Sequence, residues 1–261
     1  NATYATYIRC HDDIGWAITE ADAEAVGVTG PGHRAFLSDF YEGVFPGSFA
    51  RGALFGVNEE TGDKRISGSF ASLAGLERAL ESGDAAEIEH AVQRIIMGHT
   101  LIAAHGGVPL IYMGDEIAML NDYHYRENPD HAHDSRWIHR PRMDWDAVER
   151  IQRGDMTSPQ SKVWHGVRHA MARRKATPEL HAGYAVRVPS APGRRVFALL
   201  HEAPTGPLLC LFNFTEDTAL IPGEWALSEG VTSFHDALSD LPAKLSDGNV
   251  VLSPYGRLWL R

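Results

Sequence analysis

Hydrophobic and polar positions alternate with two different periods, and the change between them divides the chain. Ala5–Cys10, with Thr6, Tyr7 and Ile8, reads as a short buried strand. Helical spacing then takes over. Thr19-Glu20-Ala21-Asp22 has the form of a capping box opening a short helix that stops at Gly27. Phe36, Leu37, Phe40, Tyr41 and Val44 make a core-facing stripe over Arg34–Val44. Pro46 to Ser69 carries no sustained period and many glycines, and reads as a loop-rich insertion of the kind that shapes a site. Phe70–Leu80 predicts a helix with Leu73, Leu76 and Leu80 on one side. Asp84–His105 predicts a stronger one, lined by Ile88, Val92, Ile95, Ile96 and Ile102 and stopped by Gly106-Gly107. Val108–Met113 reads as a second buried strand that exits into Gly114-Asp115-Glu116. Asn121–Arg142 is polar and irregular, and Pro129 and Pro141 exclude a continuous helix there. Met143–Arg153 predicts a short helix. Ser158-Pro159 opens another, with Val163, Trp164, Val167, Ala170 and Met171 on its buried side.

From about Leu180 the period falls to two. Short β-forming runs stand at Tyr184–Val188, Arg195–His201, Leu208–Phe214, Ala219–Pro222, Thr232–His235, Val250–Leu252 and Arg257–Leu260. Turn signals such as Pro192-Gly193 and Asp247-Gly248 separate several of them, and no helix of any strength interrupts. The expected architecture is α/β over residues 1–179, with the loop-rich insertion at about 17–69, followed by a small antiparallel β-sandwich over 180–261. Strand, long helix, glycine stop and strand in that order suit an α/β barrel or a doubly wound sheet.

Composition narrows the function classes. A hydrophobic content of 44% with 22% charged residues is that of an ordinary globular chain. A formal net charge of −10 gives no basic face for nucleic acid, and no apolar run is long enough to span a membrane. Cys10 and Cys210 lie far apart in strand-like runs, which reads as two buried thiols and leaves the compartment open, with the cytoplasm favoured. The chain begins with Asn1 rather than Met and enters a strand at once, so a fragment of a longer protein is expected. Nothing in the residues indicates an oligomeric state.

The chemistry gathers at His11-Asp12-Asp13, directly after the first strand. Parallel α/β folds collect reactive side chains at strand carboxyl ends, although a solvated acidic turn has the same spacing. His124, His131, His133 and His139 tempt a metal reading. No pair has His-x-x-x-His spacing on a predicted helix, and no cysteine is near, so neither metal nor cofactor is expected.

Four motifs in order carry a more specific resemblance. They are His11-Asp12-Asp13-Ile14-Gly15-Trp16, Gly47-Ser48-Phe49-Ala50-Arg51-Gly52, Thr61-Gly62-Asp63-x-Arg65-x-Ser67-Gly68 and Asp134-Ser135-Arg136-Trp137-x-His139-Arg140-Pro141. Together with Tyr112-Met113-Gly114-Asp115-Glu116 after the second strand, they resemble the amylosucrase and sucrose hydrolase group of the alpha-amylase superfamily. The likeness is strong from Tyr4 to Arg142 and mostly architectural beyond. It implies the C-terminal part of a (β/α)8 barrel, its last two strands and their helices, followed by a β-sandwich. It also implies a retaining enzyme with sucrose and α-glucan as partners. By resemblance, Asp12 and His11 grip the glucose ring as catalytic residues, Asp13 and Arg65 hold the fructosyl side, and Arg136 closes the floor of the glucose pocket by pairing with an aspartate earlier in the barrel. Asp115 and Glu116 resemble a structural turn. The family's nucleophile and acid/base belong to earlier strands, so the 261 residues alone are expected to consume no sucrose. Transfer to water, as in a sucrose hydrolase or another α-glucosidase, and a non-catalytic carbohydrate-binding role are the alternatives.

Overall fold

The computed structural model describes residues 2–261. In chain order the elements begin with β1 (Ala5–Thr6), α1 (Glu20–Glu24), α2 (Gly30–Glu42), β2 (Ala53–Val57) and β3 (Lys64–Ser67). Then come α3 (Phe70–Leu73), α4 (Leu76–Ser82), α5 (Ala85–Ala104), β4 (Val108–Pro109), α6 (Trp145–Gln152) and α7 (Pro159–Ala176). The C-terminal region holds β5 (Ala185–Arg187), β6 (Val196–Ala203), β7 (Gly206–Asn213), β8 (Ala219–Pro222) and the helix α8 (Gly223–Ser228). It ends with β9 (His235–Asp236), β10 (Leu241–Pro242), β11 (Leu245–Ser246), β12 (Asn249–Leu252) and β13 (Arg257–Leu260). Two compact units divide these elements.

One unit combines the N-terminal residues through Ile8 with Val92–Ile111 and Lys162–Arg261. Here β1 and β4 pair in parallel, Ala5 opposite Val108 and Thr6 opposite Pro109. Both strands are much shorter than the apolar runs that encode them. Val108, Leu110 and Met113, and Tyr7 of the first run, are about half exposed, where buried strands were expected. Each strand has only the other as a ladder partner among the described residues, so its remaining edge and faces stay open to solvent.

The C-terminal part of this unit is antiparallel throughout. One sheet runs β10-β9-β13-β7-β6-β5 and a second runs β11-β12-β8. The alternation read from the residues places β5 to β8, β12 and β13 within a residue or two of their observed ends. It misses β10, β11 and the six-residue helix α8. Two-residue strands and a single helical turn leave too short a pattern for periodicity to register. Alternate residues of β6 and β7 face two different cores. Leu199, Leu208, Cys210, Phe212 and Trp259 pack on one side with Ala103, Ala104 and Leu180. Ala198, Leu200, Leu209, Leu211 and Leu260 pack on the other with Ile221, Val250 and Leu252. This two-sided burial explains why β6 and β7 read as nearly continuous apolar runs.

The other unit comprises Arg9–Ala91 and Tyr112–Ser161. The capping box forms as written: Thr19 Oγ1 accepts from Asp22 N–H, and the Asp22 carboxylate accepts from Thr19 N–H. The stretch expected to lack regular structure instead contains an antiparallel hairpin, β2–β3, with a bulge between Phe55 and Val57. Polar side chains close its turn, where the Asn58 carboxamide accepts from the N–H groups of Glu60 and Thr61. Ile14 bridges to Ile66 by two backbone hydrogen bonds, so the chain after His11-Asp12-Asp13 becomes a third rung of the hairpin. The single helix expected over Phe70–Leu80 is broken into α3 and α4 at Gly75, whose φ of 97° is left-handed. Residues Tyr123–Glu127 and Ser135–His139 form 3-10 turns.

Candidate functional site

Each of the two consecutive aspartates meets its own arginine. The Arg136 guanidinium donates from Nη1 to Asp12 Oδ1 at 3.1 Å, and Arg65 Nη1 lies 3.1 Å from Asp13 Oδ2. Both guanidiniums also pack on one ring: their central carbons lie 4.5 Å (Arg136) and 5.0 Å (Arg65) from the centroid of Phe55. Local sequence explains the convergence. Phe55 and Arg65 are cross-strand partners in the β2–β3 ladder, which puts them on the same hairpin face. Arg136 arrives from the 3-10 turn Ser135–His139, anchored to that hairpin by Ser135 Oγ donating to the Leu54 carbonyl at 2.8 Å. A second carboxylate, Asp134, caps that turn and also binds the Arg136 side chain at 2.9 Å.

The electrostatics separate the two aspartates. The hydrogen bond from Arg136, helped by the Asp13 N–H, holds Asp12 down at about 2, so it is ionised at any ordinary pH. Asp13 moves the other way. Burial raises it, and the neighbouring Asp12 adds to the rise against the pull of Arg65. Asp134 is lowered by its bonds from Arg136, and the two carboxylates together raise the Arg136 guanidinium. A fixed anion thus stands half exposed at Asp12, beside a nearly buried carboxyl at Asp13.

The structure therefore brings together Asp12, Asp13, Arg65 and Arg136 from the residues singled out in the sequence. It places His11 at the head of the turn with its side chain exposed and its carbonyl engaged by Arg140. Arg136 finds its partners in Asp12 and Asp134 within this unit. Sequence reasoning did not single out Phe55 or Asp134. The signal for Asp134 was its place in the fourth motif. For Phe55 it was the apolar alternation of Ala53–Val57 opposite Lys64–Ser67, which the glycines obscured. Beside Arg65 lies a cleft of about 450 Å³, lined by Gly15, Trp16, Arg34, Gly56, Asn58, Asp63 and Lys64. That volume suits a small ligand. Its basic residues are held by carboxylates, Arg34 by Asp63 at 2.8 Å and Lys64 by Asp39 at 3.2 Å.

The four loop histidines do not converge, and His133 is exposed. His124 pairs with Glu127, His131 stacks on Trp137 with ring centroids 3.6 Å apart, and His139 is buried. Among the described residues no group of three or more His, Cys, Asp or Glu has the arrangement of a metal site. Cys10 is half-buried rather than buried, while Cys210 is fully enclosed, and both are free thiols.

Asp115 is buried next to Arg9, and burial pushes its carboxyl from 3.8 up to about 7 in spite of that arginine. A carboxyl raised on folding favours the folded state while protonated. Its contribution is complete below the ordinary value of 3.8 and is lost as pH rises through about 7. Between pH 5 and 7 the stability of wild type relative to Asp115→Asn, taken from urea titrations at each pH, should fall as pH rises, while the buried His99 and His139 contribute alike to both proteins. Equal slopes in the two proteins would refute the assignment.

Comparison with known proteins places these features in context. Residues 186–261 match the family described as the amylosucrase C-terminal domain. Among solved structures, AmyP in complex with maltose aligns at 18% identity with a TM-score of 0.50, over 68% of this chain and 35% of that one. An AmyP variant in complex with maltotriose aligns at 16% identity and the same TM-score, over 67% and 38%. Eubacterium rectale Amy13B aligns at 18% identity, again at 0.50, over 74% and 37%. The chain thus spans little more than a third of the length of these proteins. Residues 186–261 thus resemble an amylosucrase C-terminal domain, and the chain shares its fold with parts of AmyP and Amy13B.

Proposed function

We propose that the chain is the C-terminal portion of a retaining, sucrose-active glucosyltransferase of the amylosucrase type. The complete enzyme transfers glucose from sucrose to an α-1,4-glucan and releases fructose. Residues 1–179 are the last part of its (β/α)8 barrel and 180–261 its β-sandwich. The observation that carries this reading is the double pairing of adjacent carboxylates, Asp12 with Arg136 and Asp13 with Arg65, across the single ring of Phe55. Two polar grips side by side suit a substrate of two joined rings. The amylosucrase match at residues 186–261 supports the choice of family group. The open faces of β1 and β4 support a larger parallel sheet.

The chemistry follows from the charges. Glycosyl transfer with retention develops positive charge at the anomeric carbon. An Asp12 carboxylate held ionised by Arg136 stabilises that charge more than it stabilises the neutral ground state, which is the condition for a rate enhancement. His11 and Asp12 hold the glucosyl hydroxyls. Asp13 and Arg65 hold the fructosyl half, and the cleft beside Arg65 leads toward the acceptor. Arg136 fixes the depth of the glucose pocket, which favours a terminal glucose. The α-glucan acceptor is of the same class as the maltose and maltotriose bound in the AmyP structures.

The test is the product mixture from sucrose alone with the full-length enzyme. The expected products are fructose and an α-1,4-glucan that lengthens until it precipitates. Equal glucose and fructose would assign a hydrolase instead, and unconsumed sucrose would overturn the sucrose reading.

A further inference from the structure

The turn that carries the paired aspartates is itself held by two further arginines, and neither of them grips a carboxylate there. Arg140 donates from both Nε and Nη2 to the carbonyl of His11, at 2.9 and 2.7 Å. Arg9 donates from Nη2 to the carbonyl of Asp12 at 2.8 Å and from Nε to the carbonyl of Gly68 at 3.0 Å. Arg9 is only 4% exposed, an expensive position for a guanidinium and one that needs its hydrogen bonds made.

These bonds close a ring of constraints. Gly68 follows β3, the strand that carries Arg65. Its carbonyl goes to Arg9, and its N–H donates to His139 Nδ1 at 3.1 Å. A side chain cannot be added at Gly68 without displacing Leu73, since a Cβ would lie 2.8 Å from Leu73 Cδ2. His139 and Arg140 belong to the same short segment as Arg136. One rigid stretch therefore fixes the His11 carbonyl, the Gly68 peptide and the Asp12 carboxylate at once. With both turn carbonyls tied, the Asp12 and Asp13 side chains have little freedom to turn away from Arg136 and Arg65.

We propose that Arg9 and Arg140 are positioning residues, which set the direction of the Asp12 carboxylate through the backbone carbonyls of the His11–Asp12 turn. The inference rests on the reading of Asp12 as the residue that faces the reacting sugar. Lysine is not a conservative replacement for either, because its one nitrogen lacks the planar fork that places donors from both Nε and Nη2 at these carbonyls.

The experiment has a kinetic and a non-kinetic arm. In the full-length enzyme, Arg140→Lys and Arg9→Lys should each lower kcat on sucrose about 10- to 100-fold with KM nearly unchanged, the usual cost of a misplaced group. The same changes made on top of Asp12→Asn should add less than about twofold, because the group they direct is already disabled. Losses that multiply fully in that background would overturn the proposal. The second arm follows the Asp12 carboxyl carbon by NMR in the 261-residue chain between pH 3 and 6, with Asp12→Asn identifying the signal. Wild type should show little titration, since Asp12 sits at about 2, and each lysine variant should bring a midpoint into the window. An unmoved signal in both variants would also overturn the proposal. If the full-length enzyme leaves sucrose untouched, the proposed function falls, and the NMR arm still decides the positioning role.

Discussion

With the function proposed above, Asp12→Asn in the full-length enzyme should lower kcat/KM on sucrose by about 10²- to 10³-fold, the size of effect seen when one preorganised group aimed at transition-state charge is removed. Three features of the site make this the largest expected kinetic effect. Asp12 is ionised well below neutral pH, because the hydrogen bond from Arg136, with that from the Asp13 N–H, outweighs the small rise from burial. Asparagine keeps the size and one acceptor but carries no charge, so the substitution removes the electrostatic contribution while leaving the turn in place. Arg136 stays anchored by Asp134 at 2.9 Å, so the arginine is not released into the site. Steady-state kinetics with far-ultraviolet circular dichroism as a fold control is the measurement. A loss of less than about fivefold, well short of the cost of a lost transition-state partner, would remove Asp12 from the catalytic set. The same substitution should matter little for stability. A carboxylate lowered on folding contributes above its ordinary value of 3.8 and loses that contribution as pH falls through about 2. Asp12 is half exposed, so solvent screens the pair and the contribution is small.

The largest expected effect on stability lies in the C-terminal sheets. Trp259→Ala should cost about 3–5 kcal/mol, the range for deleting a large aromatic from a packed core. Trp259 is fully buried on β13, opposite Cys210 of β7, in a cluster that includes Phe212, Leu208 and Leu180. The sheet around it is closely tied. Trp259 N–H donates to Asp236 Oδ1 at 2.8 Å, and its carbonyl accepts from Ala237 N–H at 2.7 Å. Strands on both sides hold the backbone of β13, so collapse into the vacated volume is limited and most of the cavity persists. Leu220 supplies the control. It lies on β8 but is 54% exposed, so Leu220→Ala should fall within about 0.5 kcal/mol of wild type. Guanidinium unfolding of the two variants decides the matter, and a Trp259→Ala cost below about 1 kcal/mol would contradict a single packed core at this position.

How far the residues foretold this arrangement depends on the length of each pattern. The antiparallel strands from β5 to β8 and at β12 and β13 were legible because alternation over three to eight residues, punctuated by glycine and proline turns, repeats down the chain. The capping box at Thr19 was legible because the same few residues supply both donors and both acceptors. The β2–β3 hairpin was not, since five glycines in Pro46–Ser69 hid its alternation. With it went Phe55, the ring on which both site arginines rest. The break at Gly75 was also missed, because leucines at 73, 76 and 80 keep helical spacing across it.

The sequence by itself determined the alternation of the C-terminal strands, the helices with long apolar stripes, and the identity of Asp12, Asp13, Arg65 and Arg136 as residues of interest. The strands and helices are properties of neighbouring residues, read through composition and period, whereas the four site residues stood out by the resemblance of their motifs. Only the tertiary structure decided that Asp12 takes Arg136 and Asp13 takes Arg65, that Phe55 lies between the two arginines, and that Arg9 and Arg140 hold the turn by its carbonyls. The ion pairs and the Arg140 bonds join residues 52 to 129 positions apart, while Arg65 on Phe55 and Arg9 on Asp12 are the nearer contacts. Their energy depends on distance and burial, which chain spacing does not carry. The opposite shifts of two adjacent aspartates make the point at its smallest scale. One residue type at consecutive positions is ionised at Asp12 by a donated hydrogen bond and pushed toward its neutral form at Asp13 by burial.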